Sequence, residues 1–354
     1  MHKFKQLILQ CRSGFEKETA AEITERLSQI GVYGYCQLTE GQGYVSFLGA
    51  DPDALLNAIE RLDFNRLVYI RQWTLATDWL ELSRDDRIGQ LLEQLEDLPR
   101  CGEVWAEYPD TTDGREMATF CRKFGSALAQ RLKRDGLLAP QKARAGWRLQ
   151  LFVLSGDQMA LGVAPVANSA PWPLGIPRLK FPKQAPSRST LKLEEAWHWF
   201  VPRDEWDQRL TGGRAVDLGA APGGWTWQLV QRGMFVSAVD NGPMNDDLME
   251  SGQVEHCRED GYLFVPAKPV DWMVCDMVDK PMRTAAMVVE WATNGWCREA
   301  IFNLKLPMKQ RFKESERCLQ HIAHELKQQG LNFELKAKQL YHDREEITCH
   351  LRVD

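Results

Sequence analysis

Ala215-Val216-Asp217-Leu218-Gly219-Ala220-Ala221-Pro222-Gly223-Gly224-Trp225 is the stretch on which the fold turns. An apolar run containing an acid passes into a glycine-rich turn, and the pattern beyond it predicts a helix over residues 225–231. Glycines let a backbone approach a ligand closely, and such a turn sets the ligand beside the first amides of the helix. The spacing is not GxGxxG. A proline intervenes and the third-glycine helix contact is missing, which argues against a pyrophosphate cradle.

Outward from this turn, everything after Ser187 alternates between strand and helix patterns. Strands are expected at 214–218, 235–239, 254–257, 272–275, 300–304, 333–340 and 347–353. Only residues 341–346 separate the last two, so these should pair antiparallel. A mostly parallel sheet closed by an antiparallel hairpin is a Rossmann-like, doubly wound α/β fold. The second strand runs into Asp240, 23 positions after Asp217. An acid at that place accepts hydrogen bonds from both ribose hydroxyls in nucleotide-binding βαβ units. A third acid, Asp260, follows the third strand in Arg258-Glu259-Asp260-Gly261. Three acids at successive strand ends would surround an adenosine-bearing cofactor.

The Asp-Leu-Gly-Ala-Ala-Pro-Gly-Gly arrangement is similar to motif I of class I methyltransferases, in the form used by FtsJ-like RNA ribose methyltransferases. The resemblance implies S-adenosylmethionine as cofactor, lined by Ser189, Ala221, Pro222, Gly223, Gly224 and Trp225. It also implies that Asp240 holds the ribose, that Asp260 lies near the adenine, and that Asp276 borders the site.

Four polar residues fall where such a fold would aim them at the transferred methyl: Lys192, Asp276, Lys305 and Glu346. Singly, each has a plainer reading, because strand-end lysines often snorkel and strand-end acids often cap. Together they match, residue by residue, the Lys-Asp-Lys-Glu tetrad of the FtsJ-like family. A ribose 2′-hydroxyl is a weak nucleophile and its proton needs a base. A lysine serves if neighbouring cations or desolvation lower its pKa. Lys192 and the cofactor's sulfonium are expected to act on Lys305 in this way. Lys305 is accordingly the expected base, with Lys192, Asp276 and Glu346 as positioning groups.

Other methyl acceptors fit less well. A cytosine C5 methyltransferase needs an attacking thiol, and Cys275 lies within a strand run with no proline beside it. An exocyclic-amine methyltransferase carries an (Asn/Asp)-Pro-Pro-aromatic turn, whereas Asp276-Met277-Val278-Asp279 stands here. His321 and His324 lie in His-Ile-Ala-His-Glu, which is not HExxH, so no metal is expected.

The front half reads as two α+β blocks. In the first, strands are expected at 5–11, 44–48 and 67–73, with helices at 13–27 (capped by Ser13) and 52–62. The second should hold helices at 85–98 and 116–134, a strand at 103–108, and a hairpin of 149–154 with 159–163. Between 115 and 148 the basic residues are Arg115, Arg122, Lys123, Arg131, Lys133, Arg134, Lys142, Arg144 and Arg148, against Glu116 and Asp135. Such a stretch either tracks phosphates or is a solvated helix face. Prolines 165, 171, 173, 177, 182 and 186 predict an extended linker, with Arg178, Lys180 and Lys183 as further RNA contacts.

At 354 residues, 44% hydrophobic and 26% charged, the chain has the composition of a globular protein of about two or three domains. The formal net charge of -5 does not mark a nucleic-acid binder, so RNA binding must rest on local charge. The N-terminus lacks a signal-peptide pattern, and no apolar run approaches the ~20 residues of a membrane span. The nine cysteines include no CxxC pair, which suits reduced thiols in the cytoplasm.

Longer strings, among them residues 175–182, 240–244, 302–308 and 341–346, resemble one branch of the family: bacterial enzymes that methylate a cytidine ribose of 23S rRNA. That branch carries a ferredoxin-like layer and a THUMP-type RNA-binding module. The resemblance therefore implies a ferredoxin-like layer at 1–75, a THUMP-type module at 76–166, a linker at 167–186 and a methyltransferase domain at 187–354. The expected partner is 23S rRNA or its precursor, with no membrane and no indicated oligomeric state. Three alternatives stay open: an FtsJ-like enzyme for another RNA, a non-catalytic RNA-binding assembly factor, and a dinucleotide oxidoreductase.

Overall fold

The computed structural model describes residues 4–96, 98–139 and 146–354. It divides into two units, Met1–Ile176 and Pro177–Asp354.

The first unit runs β1 (Gln6–Gln10), α1 (Glu16–Gln29), β2 (Gly34–Gln37), β3 (Tyr44–Gly49), α2 (Pro52–Arg61), β4 (Gln72–Ala76), β5 (Leu80–Glu81), α3 (Arg87–Leu92), β6 (Cys101–Glu107), α4 (Ala118–Arg134), β7 (Trp147–Val153) and β8 (Gln158–Pro165). Its sheet has the order β2-β3-β1-β4-β8-β7-β6, with β5 beside β8. The two blocks read from the sequence therefore share one sheet, because β4 pairs with β8 through Leu75↔Val163 and Ala76↔Gly162.

Several expectations for this unit are corrected. Ser13 does not cap α1: its hydroxyl donates to the Gly41 carbonyl at 3.0 Å. Residues 67–71, expected as strand, lie outside the ladder although Leu67, Val68, Tyr69 and Ile70 are buried. The buried carboxylate of Glu22 accepts from the Val68 and Tyr69 amides at 2.6 and 2.9 Å, in place of a neighbouring strand. The helix expected over 85–98 is only α3, capped by Asp86 at 2.8 Å from the Gly89 amide. Beyond it Leu95 and Leu98 turn through three-residue bonds to Leu92 and Leu95.

The proline-rich segment is only partly a linker. Residues 167–176 belong to the first unit, where Ala170, Leu174 and Ile176 are buried. The Asn168 side chain donates to the Ile59 and Leu62 carbonyls at 2.8 and 2.7 Å. The apolar residues between the prolines have found a core, which composition alone does not reveal.

The second unit comprises α5 (Thr190–Phe200), α6 (Trp206–Arg209), β9 (Arg214–Leu218), α7 (Gly224–Gln231), β10 (Phe235–Val239), α8 (Asp246–Met249), β11 (Val254–Cys257), β12 (Val270–Cys275), α9 (Pro281–Thr293), β13 (Cys297–Lys305), α10 (Arg311–Gln328), β14 (Phe333–Lys338) and β15 (Glu346–Val353). Its sheet order is β11-β10-β9-β12-β13-β15-β14. The first five strands in that order are parallel, and the β14–β15 hairpin closes the sheet antiparallel to β13. This is the expected doubly wound α/β fold.

Strand order reverses direction between β9 and β12. Right-handed crossovers then put α7 and α9 on opposite faces, leaving a crevice beyond the carboxyl ends of these two strands. Between the two helical layers β9, β12 and β13 are buried almost throughout.

Candidate active site

At the crevice, β9 ends in the glycine-rich turn. Gly223 has φ +115°, and a Cβ there would lie 2.5 Å from Leu248 Cδ2, so only glycine suits this start of α7. A Cβ on Gly224 would lie 2.3 Å from Ser189 Oγ. That close approach brings the turn before α5 against the first turn of α7. The Trp225 indole is buried and donates to the Ser189 carbonyl at 2.9 Å. Its ring belongs to the core, so what it can present to the crevice is backbone.

Asp240 is half-buried and accepts the Ala221 amide at 3.0 Å and the Gly242 amide at 2.7 Å, one on each carboxylate oxygen. Both oxygens keep a second lone pair for a ligand. Asp260 is exposed and accepts the Tyr262 amide at 2.9 Å through Oδ1. A Cβ on the adjoining Gly261 would lie 2.7 Å from Met277 Sδ and 3.6 Å from Leu218 Cβ, which places the Asp260 turn at the crevice rim. Asp217, the first of the three strand-end acids, is buried on β9 and receives the Thr226 hydroxyl at 2.6 Å. Burial pushes its carboxyl up to about 7; the charges of Asp276 and Asp240 add to this, while the Thr226 bond opposes it. Three carboxyl groups thus gather at the ends of β9, β10 and β12. That donor set suits a ligand carrying a cation and a diol, as S-adenosylmethionine does.

The four tetrad residues meet in a closed ring of alternating charge. Lys192 Nζ lies 2.5 Å from Glu346 Oε1 and 3.4 Å from Asp276 Oδ2. Lys305 Nζ lies 2.5 Å from Asp276 Oδ1 and 3.0 Å from Glu346 Oε2. The backbone dictates this meeting. Lys305 and Glu346 are directly paired across β13 and β15, and Asp276 follows Cys275, which pairs with Phe302 on β13. Lys192 enters from the first turn of α5.

One electrostatic expectation is corrected. Lys305 was to have a lowered pKa. Burial does push it down, but the charges of Asp276 and Glu346 and their hydrogen bonds outweigh burial, and the net shift is upward. Burial likewise raises the Glu346 carboxyl, yet Lys192 and Lys305 reverse this to a net lowering. In this ring Lys305 is an ammonium.

Sequence reasoning also missed the supports of the ring. Glu195, fully buried one turn after Lys192, accepts the Tyr341 and His342 amides at 2.8 and 3.0 Å and lies 2.6 Å from His342 Nδ1. It ties the helix bearing Lys192 to the loop that leads into Glu346. Asn303, also fully buried, donates to Asp276 Oδ1 at 2.7 Å. The Cys275 thiol is fully buried and raised by that burial to about 12, which disfavours a thiolate nucleophile. Among the described residues, no group of three or more His, Cys, Asp or Glu could hold a metal, and no helix is long and apolar enough to cross a membrane.

Known proteins match both units of the chain. Residues 4–74 match the RlmM ferredoxin-like domain, 86–165 match the family described as ribosomal RNA large subunit methyltransferase M, N-terminal, and 185–325 match FtsJ-like methyltransferase. Ribosomal RNA large subunit methyltransferase M of Stutzerimonas stutzeri (strain A1501) is 53% identical over 347 residues, covering 98% of this chain and 99% of that protein. The protein of the same name from Cellvibrio japonicus (strain Ueda107) is 51% identical over 350 residues, again covering 98% and 99%. The chain belongs to the ribosomal RNA large subunit methyltransferase M family, and its second unit carries an FtsJ-like methyltransferase domain.

Proposed function

We propose that the chain transfers a methyl group to a ribose 2′-hydroxyl of 23S rRNA, at a cytidine, in the cytoplasm. The closed Lys192–Asp276–Lys305–Glu346 ring is the observation that carries this reading. The related proteins are named for large-subunit rRNA, and the cytidine rests on resemblance of the longer sequence strings.

S-adenosylmethionine supplies an electrophilic methyl group on a sulfonium centre. Asp240 would accept its ribose hydroxyls, Asp260 would lie by the adenine, and residues 221–225 with Ser189 would line the rest. Lys305 Nζ would take the proton of the 2′-hydroxyl, whose oxygen would receive the methyl group that bound S-adenosylmethionine supplies, the neutral thioether leaving. For this Lys305 must first shed the proton that Asp276 and Glu346 help it keep. Lys192 holds Glu346 and Asp276 in place, and those carboxylates aim Lys305 and the hydroxyl.

For the first unit we infer RNA docking by a THUMP-type module through the exposed Arg122, Lys123 and Lys133 of α4. The basic stretch is narrower than its sequence suggests. Arg148 is buried, pairs with Glu103 at 2.8 Å and stacks 3.3 Å over Trp105. Arg131 and Arg134 pair with Asp135, and Arg115 pairs with Asp110. Lys142 and Arg144 lie outside the described residues.

Mapping of ribose methylation in rRNA from a deletion strain tests the function. One 23S cytidine should lose its 2′-O-methyl group. A large-subunit rRNA with unchanged methylation would move the substrate to another RNA.

A further inference from the structure

Asp276 touches both lysines of the ring, so its orientation decides whether the ring closes. Something must hold that carboxylate against rotation. Asn303, Thr348 and Asp343 sit behind it. None is charged towards the crevice, and all three are buried to 1% exposure or less.

Asn303 Nδ2 donates to Asp276 Oδ1 at 2.7 Å. Thr348 Oγ1 lies 2.7 Å from Asn303 Oδ1, and 3.0 and 3.1 Å from the two oxygens of Asp343. Asp343 Oδ2 in turn accepts the Leu340 amide at 2.9 Å. The register explains the contact, since Asn303 and Thr348 face each other across β13 and β15.

We propose that Asn303, with its amide orientation set by Thr348 and Asp343, is the positioning residue that locks Asp276 in the catalytic ring. The proposal rests on the tetrad reading given above and adds the device that keeps the tetrad in register.

The argument is one of proton direction. Thr348 has one hydroxyl proton and three carboxyl or carbonyl oxygens within reach. If that proton goes to Asn303 Oδ1, the asparagine oxygen is satisfied and its NH2 must face Asp276. Asp343 is the group that can free the proton for this use. Burial and the charge of Glu346 hold its carboxyl well above the ordinary range, which favours a proton on Asp343 that it can give to Thr348 Oγ1. The bonds then run one way: Asp343 to Thr348, Thr348 to the Asn303 carbonyl, Asn303 amide to Asp276. Reversing the asparagine would set its carbonyl against a carboxylate, which low-dielectric surroundings make costly.

The test removes one hydroxyl without changing side-chain shape. Thr348→Val should lower kcat by about 10- to 100-fold, the cost of a small misplacement of a reacting group. KM for S-adenosylmethionine should stay near wild type, Tm should fall by the few degrees that buried groups left unpaired cost, and Thr348→Ser should restore kcat to within about twofold. A second readout needs no turnover. In protein labelled with 15N-asparagine, the Asn303 side-chain amide protons should exchange slowly in wild type and Thr348→Ser, and at least tenfold faster in Thr348→Val. Undiminished kcat in Thr348→Val, an equal loss in Thr348→Ser, or unchanged amide exchange would each overturn the relay. A wild-type enzyme that methylates no ribose would instead overturn the proposed function, and the exchange measurement would still decide the relay.

Discussion

Lys305 Nζ lies 2.5 Å from Asp276 Oδ1, the tighter of its two carboxylate contacts. This proximity raises the lysine's pKa above its ordinary value of 10.5 even though burial opposes the rise. The proposed base therefore starts in the wrong protonation state at neutral pH, and its neutral fraction grows with every step towards alkali.

From this follows a pH profile. kcat/KM reports groups of the uncomplexed enzyme. It should climb by about tenfold per pH unit between pH 7 and 9, without levelling off. A plateau already reached by pH 7 would assign the base role to a group other than Lys305.

Stability in acid carries a second signature. Glu346 has a net lowered pKa, so its stabilising contribution is present above the ordinary value of 4.5 and lost as pH falls through the lower folded value. Thermal melting of wild type and Glu346→Gln should therefore differ most near pH 6 and converge below pH 4.5. A gap that widens on acidification would contradict the assigned sign.

Glu195 offers a third handle. Its carboxylate satisfies two backbone amides of the loop before Glu346. Glu195→Ala should lower Tm by about 4 °C or more, using ~2–4 °C per kcal/mol for a unit of this size. It should also depress kcat, because Glu346 loses its anchorage to α5. A variant with wild-type kcat would show that the loop holds its place without the clamp.

RNA docking through α4 is tested by salt. Reversing the charge of Arg122, Lys123 and Lys133 together should weaken 23S rRNA binding and flatten its dependence on salt concentration. Arg148→Ala should instead destabilise the first unit, since that guanidinium is packed under Trp105 and Glu103. Equal RNA affinity in the triple reversal would remove α4 from the interface.

Legibility from the sequence tracked how local the determining physics is. β9, β10 and β11 begin and end at the residues expected, and for β9 and β10 the reason is that largely buried parallel strands are short apolar runs punctuated by glycine and polar turns. The four tetrad residues were named because their types and order match a family pattern. Their supports were not. Glu195 acts on residues about 146 positions away and Asn303 on one 27 positions away. Nothing near either residue in sequence distinguishes it from an ordinary helix or strand position. The same holds for Glu22, whose carboxylate replaces a ladder partner for Val68 and Tyr69 and so undid the strand expected there. The lysine pKa went wrong for a related reason: cations were counted, but the two carboxylates at 2.5 and 3.0 Å were given only an orienting role.

The central claim is that the ring performs ribose methylation with Lys305 as base. Purified protein should be incubated with undermethylated 23S rRNA and S-adenosylmethionine labelled in the methyl group, and the product digested to nucleosides. The account predicts label on the ribose of a cytidine, and none with Lys305→Ala, while that variant still binds S-adenosylmethionine as wild type does. Label on a base, or near-normal transfer by Lys305→Ala, would contradict it.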